Sequence, residues 1–316
     1  MIDLTLLAKQ LKKERSVALL CHARPDGDCL GSACALKLAL QKVGVKATVV
    51  SYDPVPERFF FLEEMKSVLR WLDGEYSALV AMDCADITRV SEQEKFVKHK
   101  NTFNIDHHVS NNCYAKYNYV KENSSNCENA YAIINEMGVE IDKDIANLLA
   151  LGIVTDTGNF KHKNVSHTSL EIAGSLVAIG ADLNKINYYM FTMQSKERAK
   201  LFGLVMSKIR YFLDDRFAVA TVFKSDLLSS GAKPDETEGF VDFIMGINTV
   251  EVGACLMEID KNKYKISFRS KGTDVNAVAS TFGGGGHTLA SGCQIFGEYE
   301  EIIDRITFAV SREIKD

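Results

Sequence analysis

The chain has 316 residues, 46% of them hydrophobic, and a formal net charge of −5. That is apolar material for two domains or one large one, without the basic excess of a protein that coats long nucleic acid. No run of about 18 apolar residues occurs, so no membrane span is expected, and the charged, amphipathic stretch from Met1 to Arg15 does not read as an export signal.

Residues 16–21, Ser-Val-Ala-Leu-Leu-Cys, read as a buried strand. A loop bearing His22, Asp26 and Asp28 follows, then a helix over 30–43 that Gly44 ends. Strands are expected over 46–51, 77–82 and 102–105, separated by polar helical stretches, with an added edge strand over 117–120. Strand, helix, strand repeated in this way implies a parallel sheet with crossover helices. Helices are expected over 127–137, 143–151, 168–179 and 184–191. Residues 195–209 read as a connecting helix, with Leu201, Leu204, Val205 and Ile209 on one face. The pattern then changes to strands over 217–223, 250–259 and 264–268, with Lys261-Asn262-Lys263 as a hairpin tip. The fold class is therefore α/β. A first domain over 1–190, a linker helix over 191–210 and a smaller α/β domain over 211–316 are expected.

Carboxylates and imidazoles gather where apolar runs end. The first cluster is His22-x-x-x-Asp26-x-Asp28, in which Pro25 and Gly27 bend the chain so that both acids point to one side. Asp83 closes the run Ala78 to Met82, Asp106-His107-His108 follows the run over 102–105, and Asp156 lies in Thr155-Asp156-Thr157-Gly158. Strand ends are where an open α/β sheet assembles its site. Imidazole and carboxylate together suit a two-metal hydrolase site of Mn²⁺, Fe²⁺ or Zn²⁺ type. Singly, each acid reads as well as a turn or helix-capping residue; only their company gives them weight. Asp106 also suits the orienting of a neighbouring imidazole. His99, His162 and His167 sit in polar context and read as surface residues.

The second domain has its own signal, Phe282-Gly283-Gly284-Gly285-Gly286-His287. Four glycines allow successive N–H groups to turn inward as an anion nest, and no Lys-Ser/Thr follows to make a Walker loop. Arg269, at the end of an expected strand, has the fork to grip a phosphate, or is simply a solvated strand end. The eight cysteines form no C-x-x-C pair and read as buried, reduced thiols, which points to a cytoplasmic protein.

Taken in this order, the motifs resemble the DHH phosphoesterase superfamily, in the branch that carries a DHHA1 C-terminal domain. Layout and length are most similar to the bacterial nanoRNase and pAp-phosphatase (NrnA-like) group. The resemblance implies that His22 and Asp26 bind one metal ion, that Asp83 bridges two, and that Asp28, His107 and Asp156 hold the second. It implies that His108 faces the scissile phosphate, and that Arg269, Gly284, Gly285, Gly286 and His287 hold the other end of the substrate. Two divalent ions are implied, Mn²⁺ first, with Mg²⁺ or Co²⁺ as alternatives. Where the family shows Ser-Ser-Thr-x-Glu, this chain has Ser124-Ser125-Asn126-Cys127-Glu128, a change expected to touch substrate preference rather than metal binding.

The expected activity is hydrolysis of very short oligoribonucleotides, including pApA and pGpG, to mononucleotides, together with dephosphorylation of 3′-phosphoadenosine 5′-phosphate. A cyclic-dinucleotide phosphodiesterase and a non-catalytic nucleotide-binding sensor are the alternatives. A processive exonuclease fits less well, since the chain is short and not basic. A family II pyrophosphatase would lack the glycine run. Expected partners are short RNA and small nucleotides, with no long nucleic acid and no membrane; a homodimer is consistent with the family.

Overall fold

In a computed structural model, which describes residues 1–314, the chain divides into two units, Met1–Met193 and Gln194–Asp316. The first runs α1 (Leu4–Leu11), β1 (Ser16–Leu20), α2 (Gly27–Lys42), β2 (Lys46–Val50), β3 (Ala78–Met82), α3 (Gln93–Lys98), β4 (Thr102–Asp106), β5 (Tyr117–Val120), α4 (Asn126–Glu136), α5 (Lys143–Asp156), α6 (His167–Ile179) and α7 (Leu183–Asn187). Its five strands are all parallel, in the order β2-β1-β3-β4-β5. The order reverses between β1 and β3, so the sheet opens a crevice there, at the strands' carboxyl ends.

Strand β1 is apolar at almost every position because it is covered on both faces. Val17 and Leu19 enter the core built with α2, α4 and α5, while Ala18 and Leu20 enter the layer that holds Phe96 of α3. Helix α2 starts earlier than its apolar pattern suggests. Asp26 Oδ1 accepts the N–H groups of Asp28 and Cys29 at 3.1 and 3.0 Å, which caps the helix at Gly27. Helix α5 likewise runs on through Gly152 to Asp156. A Cβ on Gly31 would lie 2.5 Å from the Leu148 carbonyl oxygen, so glycine is what lets α2 and α5 approach so closely.

The second unit runs α8 (Lys196–Met206), β6 (Arg210–Phe212), β7 (Phe217–Val222), α9 (Lys224–Ser230), α10 (Phe240–Met245), β8 (Val252–Asp260), β9 (Lys263–Ser270), α11 (Val275–Ser280), β10 (Gly285–His287), β11 (Ala290–Phe296) and α12 (Tyr299–Glu313). Its mixed sheet has the order β10-β11-β9-β8-β7-β6, with only β7 and β8 parallel. One face packs residues such as Ile266, Phe268 and Val252 against α11 and α12, and the other packs Ala218 and Ala220 against α8 and α10. The helix read as a connection thus lies in this unit, with Leu201 and Val205 fully buried. Asn262 turns the β8–β9 hairpin with φ 54°. No helix among the described residues is long and apolar enough to cross a membrane.

Candidate active site

Strand ends deliver the first unit's polar cluster. His22 follows β1, Asp83 follows β3, and His107 and His108 follow β4; α2 brings Asp26 and Asp28 and the last residue of α5 brings Asp156. Asp83 takes a left-handed backbone, φ 53°, which costs on the order of 1–2 kcal/mol for a residue with a Cβ. It is 3% exposed. Its Oδ2 lies 3.6 Å from His22 Nε2 and its Oδ1 3.3 Å from His107 Nε2. His22 Nε2 is also 3.7 Å from Asp26 Oδ2. His107 Nε2 is also 3.7 Å from Asp28 Oδ2 and 3.6 Å from Asp156 Oδ2. All seven expected cluster residues therefore converge: His22 and His107 flank the two oxygens of Asp83, with Asp26 beside the first imidazole and Asp28 and Asp156 beside the second. His108 is the seventh, with Nδ1 3.6 Å from Asp83 Oδ1.

Each imidazole is oriented from behind. His22 Nδ1 is 2.9 Å from the Ala23 carbonyl oxygen, His107 Nδ1 is 3.0 Å from that of Asn123, and His108 Nδ1 is 2.7 Å from Asp106 Oδ1. This leaves the Nε2 of His22 and His107 facing the carboxylates, as in metal-binding histidines generally. Asp28 is held as firmly: Oδ2 accepts the Asn126 N–H at 2.5 Å and Oδ1 the Cys127 N–H at 2.9 Å, both from the first turn of α4. Asn126 turns its own amide to Ser32 and Asn129, behind the cluster.

As side chains alone the cluster binds protons. Burial pushes the Asp28 carboxyl well above its ordinary range, with Asp83 and Asp156 adding to it. Burial and Asp83 push Asp156 up to about 6. Burial works against charge on His107, yet its contacts with Asp83 and Asp28 push it up to about 10. Asp83 is buried too, but the two imidazoles beside it hold its pKa below the usual carboxylate range.

The donor set fits divalent cations. Asp83 Oδ1 is buried without a hydrogen-bond donor. The ligand atoms of Asp28, His107 and Asp156 lie within 4.8 Å of one another, as do those of Asp83, His107 and His108, and of His22, Cys29 and Asp83. Imidazole nitrogen with carboxylate oxygen suits Mn²⁺, Co²⁺, Fe²⁺ or Zn²⁺. Cys29 is the poorer donor, because burial raises its thiol well above the ordinary range and the Sγ already contacts the Met82 carbonyl and the His22 N–H.

The glycine run in the second unit is not an anion nest. Gly285–His287 pairs antiparallel with β11. The N–H groups of Gly283, Gly284 and Gly286 go to Ser280 O, Ala279 O and Asn276 Oδ1. The glycines serve close packing instead: a Cβ on Gly284 would meet Gly292 O at 2.2 Å. Ala290 pairs with His287 on one side and Arg269 on the other, so those two polar residues share one row of the sheet. Arg269 Nε lies 3.4 Å from Asp242 Oδ1.

His162 is exposed, as expected, but it also neighbours the cluster, which the sequence did not suggest. His162 Nδ1 is 3.2 Å from the Asp156 carbonyl oxygen, and its ring lies over Gly158, where a Cβ would be 2.2 Å from Nε2. No spacing in the chain announces it.

The model of the DHH family N-terminal domain matches residues 16–153, and that of the DHHA1 domain matches residues 214–316. The chain is 30% identical over 317 residues to a Thermus thermophilus protein named bifunctional oligoribonuclease and PAP phosphatase NrnA, covering 98% of this chain and 94% of that one. It is 28% identical to a Streptococcus mutans protein named probable bifunctional oligoribonuclease and PAP phosphatase NrnA, covering 96% and 97%. An exopolyphosphatase-related protein of known structure from Bacteroides fragilis superposes with a TM-score of 0.85 at 25% identity, covering 98% and 95%. The chain belongs to the DHH family. The second match places it in the branch that carries a DHHA1 domain, as the motifs suggested.

Proposed function

We propose that this protein is a metal-dependent phosphoesterase that hydrolyses very short oligoribonucleotides to mononucleotides and dephosphorylates 3′-phosphoadenosine 5′-phosphate. The relatives' names support the substrate class. The observation that carries the reading is Asp83, whose two oxygens each face a different imidazole from a buried, strained position. That arrangement suits a carboxylate shared by two cations, with His22 and Asp26 completing one set and Asp28, His107 and Asp156 the other. Cations bound there would lower the pKa of water and neutralise phosphoryl charge; Mn²⁺ is the first choice for this donor set.

The chain's own groups do the rest. His108 is 41% exposed at its side chain and its Nδ1 is backed by Asp106, which favours the protonated ring; as an imidazolium it keeps Nδ1–H on Asp106 and can donate from Nε2 to a phosphoryl oxygen. Arg269 would supply a planar fork for a second anionic group, with His287 in the same row of the sheet, next to Gly284, Gly285 and Gly286, of which Gly284 leaves no room for a side chain. The acidic balance limits affinity for long RNA and leaves recognition to these local contacts. All eight cysteines are free thiols, seven of them buried, which supports a cytoplasmic setting.

A product time course on 5′-labelled di- to pentanucleotides with Mn²⁺ tests the proposal, alongside 3′-phosphoadenosine 5′-phosphate and a cyclic dinucleotide. Release of mononucleotides from pApA, lost in Asp83→Ala at saturating Mn²⁺, is expected. Tight binding of pApA with no release of AMP would contradict it, as would near wild-type turnover in Asp83→Ala.

A further inference from the structure

The geometry behind His108 reaches further than Asp106. Asp106 is fully buried, and its Oδ1 accepts from His108 Nδ1 at 2.7 Å. A buried carboxylate stays fixed only if its second oxygen also has a donor. For Oδ2 that donor is Asn111 Nδ2, at 2.5 Å. The other proton of the same amide goes to Asn104 Oδ1 at 2.7 Å. A third acceptor, the Cys84 carbonyl, is farther away at 3.3 Å and is already served by the Tyr114 hydroxyl at 2.8 Å. Asn111 Oδ1 accepts the Cys113 N–H at 2.7 Å, and the Asn111 N–H donates to the His108 carbonyl at 3.1 Å. One side chain therefore ties together the residue after Asp83, the end of β4 and the loop that carries His108, with every polar atom used.

We propose that Asn111 is a positioning residue for His108: it clamps Asp106 so that the ring keeps its Nδ1–H on that carboxylate and holds Nε2 toward the phosphoryl group, as the donor once the ring is protonated. The inference rests on the phosphoesterase reading of the site. Without the Asn111 amide, Asp106 Oδ2 is a buried oxygen with no donor, and the carboxylate must rotate or take up a proton. Either change frees the His108 ring to flip or switch tautomer. Asparagine is the residue type this requires. Aspartate has the same shape but no N–H to give, and sets a second negative charge against Asp106.

A double-mutant cycle tests this on the full-length, Mn²⁺-loaded protein, with pApA as substrate. Asn111→Ala is expected to lower kcat about 10- to 100-fold, the usual cost of losing such a partner, with KM and Mn²⁺ stoichiometry unchanged. In a His108→Ala background the same substitution is expected to cost nothing more, because no ring is left to position. The isosteric Asn111→Asp is expected to behave like Asn111→Ala. An equal loss in both backgrounds, or an unchanged kcat, overturns the proposal. A second readout does not need turnover: ¹⁵N-imidazole spectra are expected to show one Nδ1–H tautomer for His108 in the wild type and a mixture in Asn111→Asp. If the wild type hydrolysed no phosphoester, the functional reading would fall while the spectra still decided the positioning role. An unchanged tautomer in Asn111→Asp overturns it.

Discussion

Gly152 has no side chain because Asp28 and Cys127 fill the space one would need. A Cβ there would lie 2.5 Å from Asp28 Oδ1 and 2.2 Å from Cys127 Sγ. Gly152→Ala is therefore expected to destabilise the protein by about 1–3 kcal/mol, as overpacking does, and to cut activity out of proportion by displacing Asp28. Equilibrium unfolding together with kcat for pApA checks both effects. The six expected metal ligands and His108 were legible in the sequence because each follows an apolar run, and the structure brings all seven together. Asn111 was not: its contacts come from loop conformation, and an asparagine three residues after a histidine has no periodicity to read. Asp26 shows why the capping and ligand alternatives could not be separated in advance. Its Oδ1 caps α2 while its Oδ2 faces His22.

Helix α5 carries one cluster residue at its end and depends on its start. Asp142 Oδ1 accepts the N–H groups of Asp144 and Ile145 at 3.1 and 3.0 Å, and Oδ2 meets Lys42 Nζ at 2.7 Å. Asp142→Ala is expected to cost about 1 kcal/mol at pH 7, the usual value of an N-cap. Partial burial works against the Asp142 charge, but the Ile145 N–H, Lys42 and the Asp144 N–H hold its pKa below the ordinary carboxylate value. A folded-state pKa below the unfolded one stabilises above the unfolded value and loses that effect as pH falls through the folded value. The stability gap between wild type and Asp142→Ala should thus shrink below about pH 4; urea unfolding at pH 7 and pH 3 measures it. At this scale the parallel strands were readable, being buried on both faces. The start of α2 and the end of α5 were not, because a cap and a glycine contact set them. The expected anion nest became a hairpin because β11 takes up the glycine backbone, a long-range pairing invisible in a glycine run. Helix α12 went unassigned although Ile302, Ile306 and Val310 follow a helical spacing and are buried.

At the scale of the whole molecule, the polar cluster of the first unit ties metal binding to pH. The first unit concentrates carboxylates that share protons, and metal binding must displace those protons. Asp156, raised to about 6, and His107, raised to about 10, must both be deprotonated to act as ligands. Mn²⁺ affinity is therefore expected to rise with pH between 6 and 8, with protons released on binding. Calorimetry in buffers of different ionisation enthalpy reads that release; a pH-independent affinity would contradict it. Mn²⁺ at 100 times its Kd should also add about 2.7 kcal/mol of stability. Two domains and an α/β class were legible from the change in element pattern after residue 210. The packing of α8 against the second sheet was not, because an amphipathic helix does not name the surface it covers.

Manganese anomalous scattering from Mn²⁺-soaked crystals would locate the cations themselves. Two peaks are expected, about 3.5–4 Å apart, one on each side of Asp83, with one oxygen of that residue or both contacting each ion. A single peak, or peaks that leave Asp83 uncoordinated, would contradict the account.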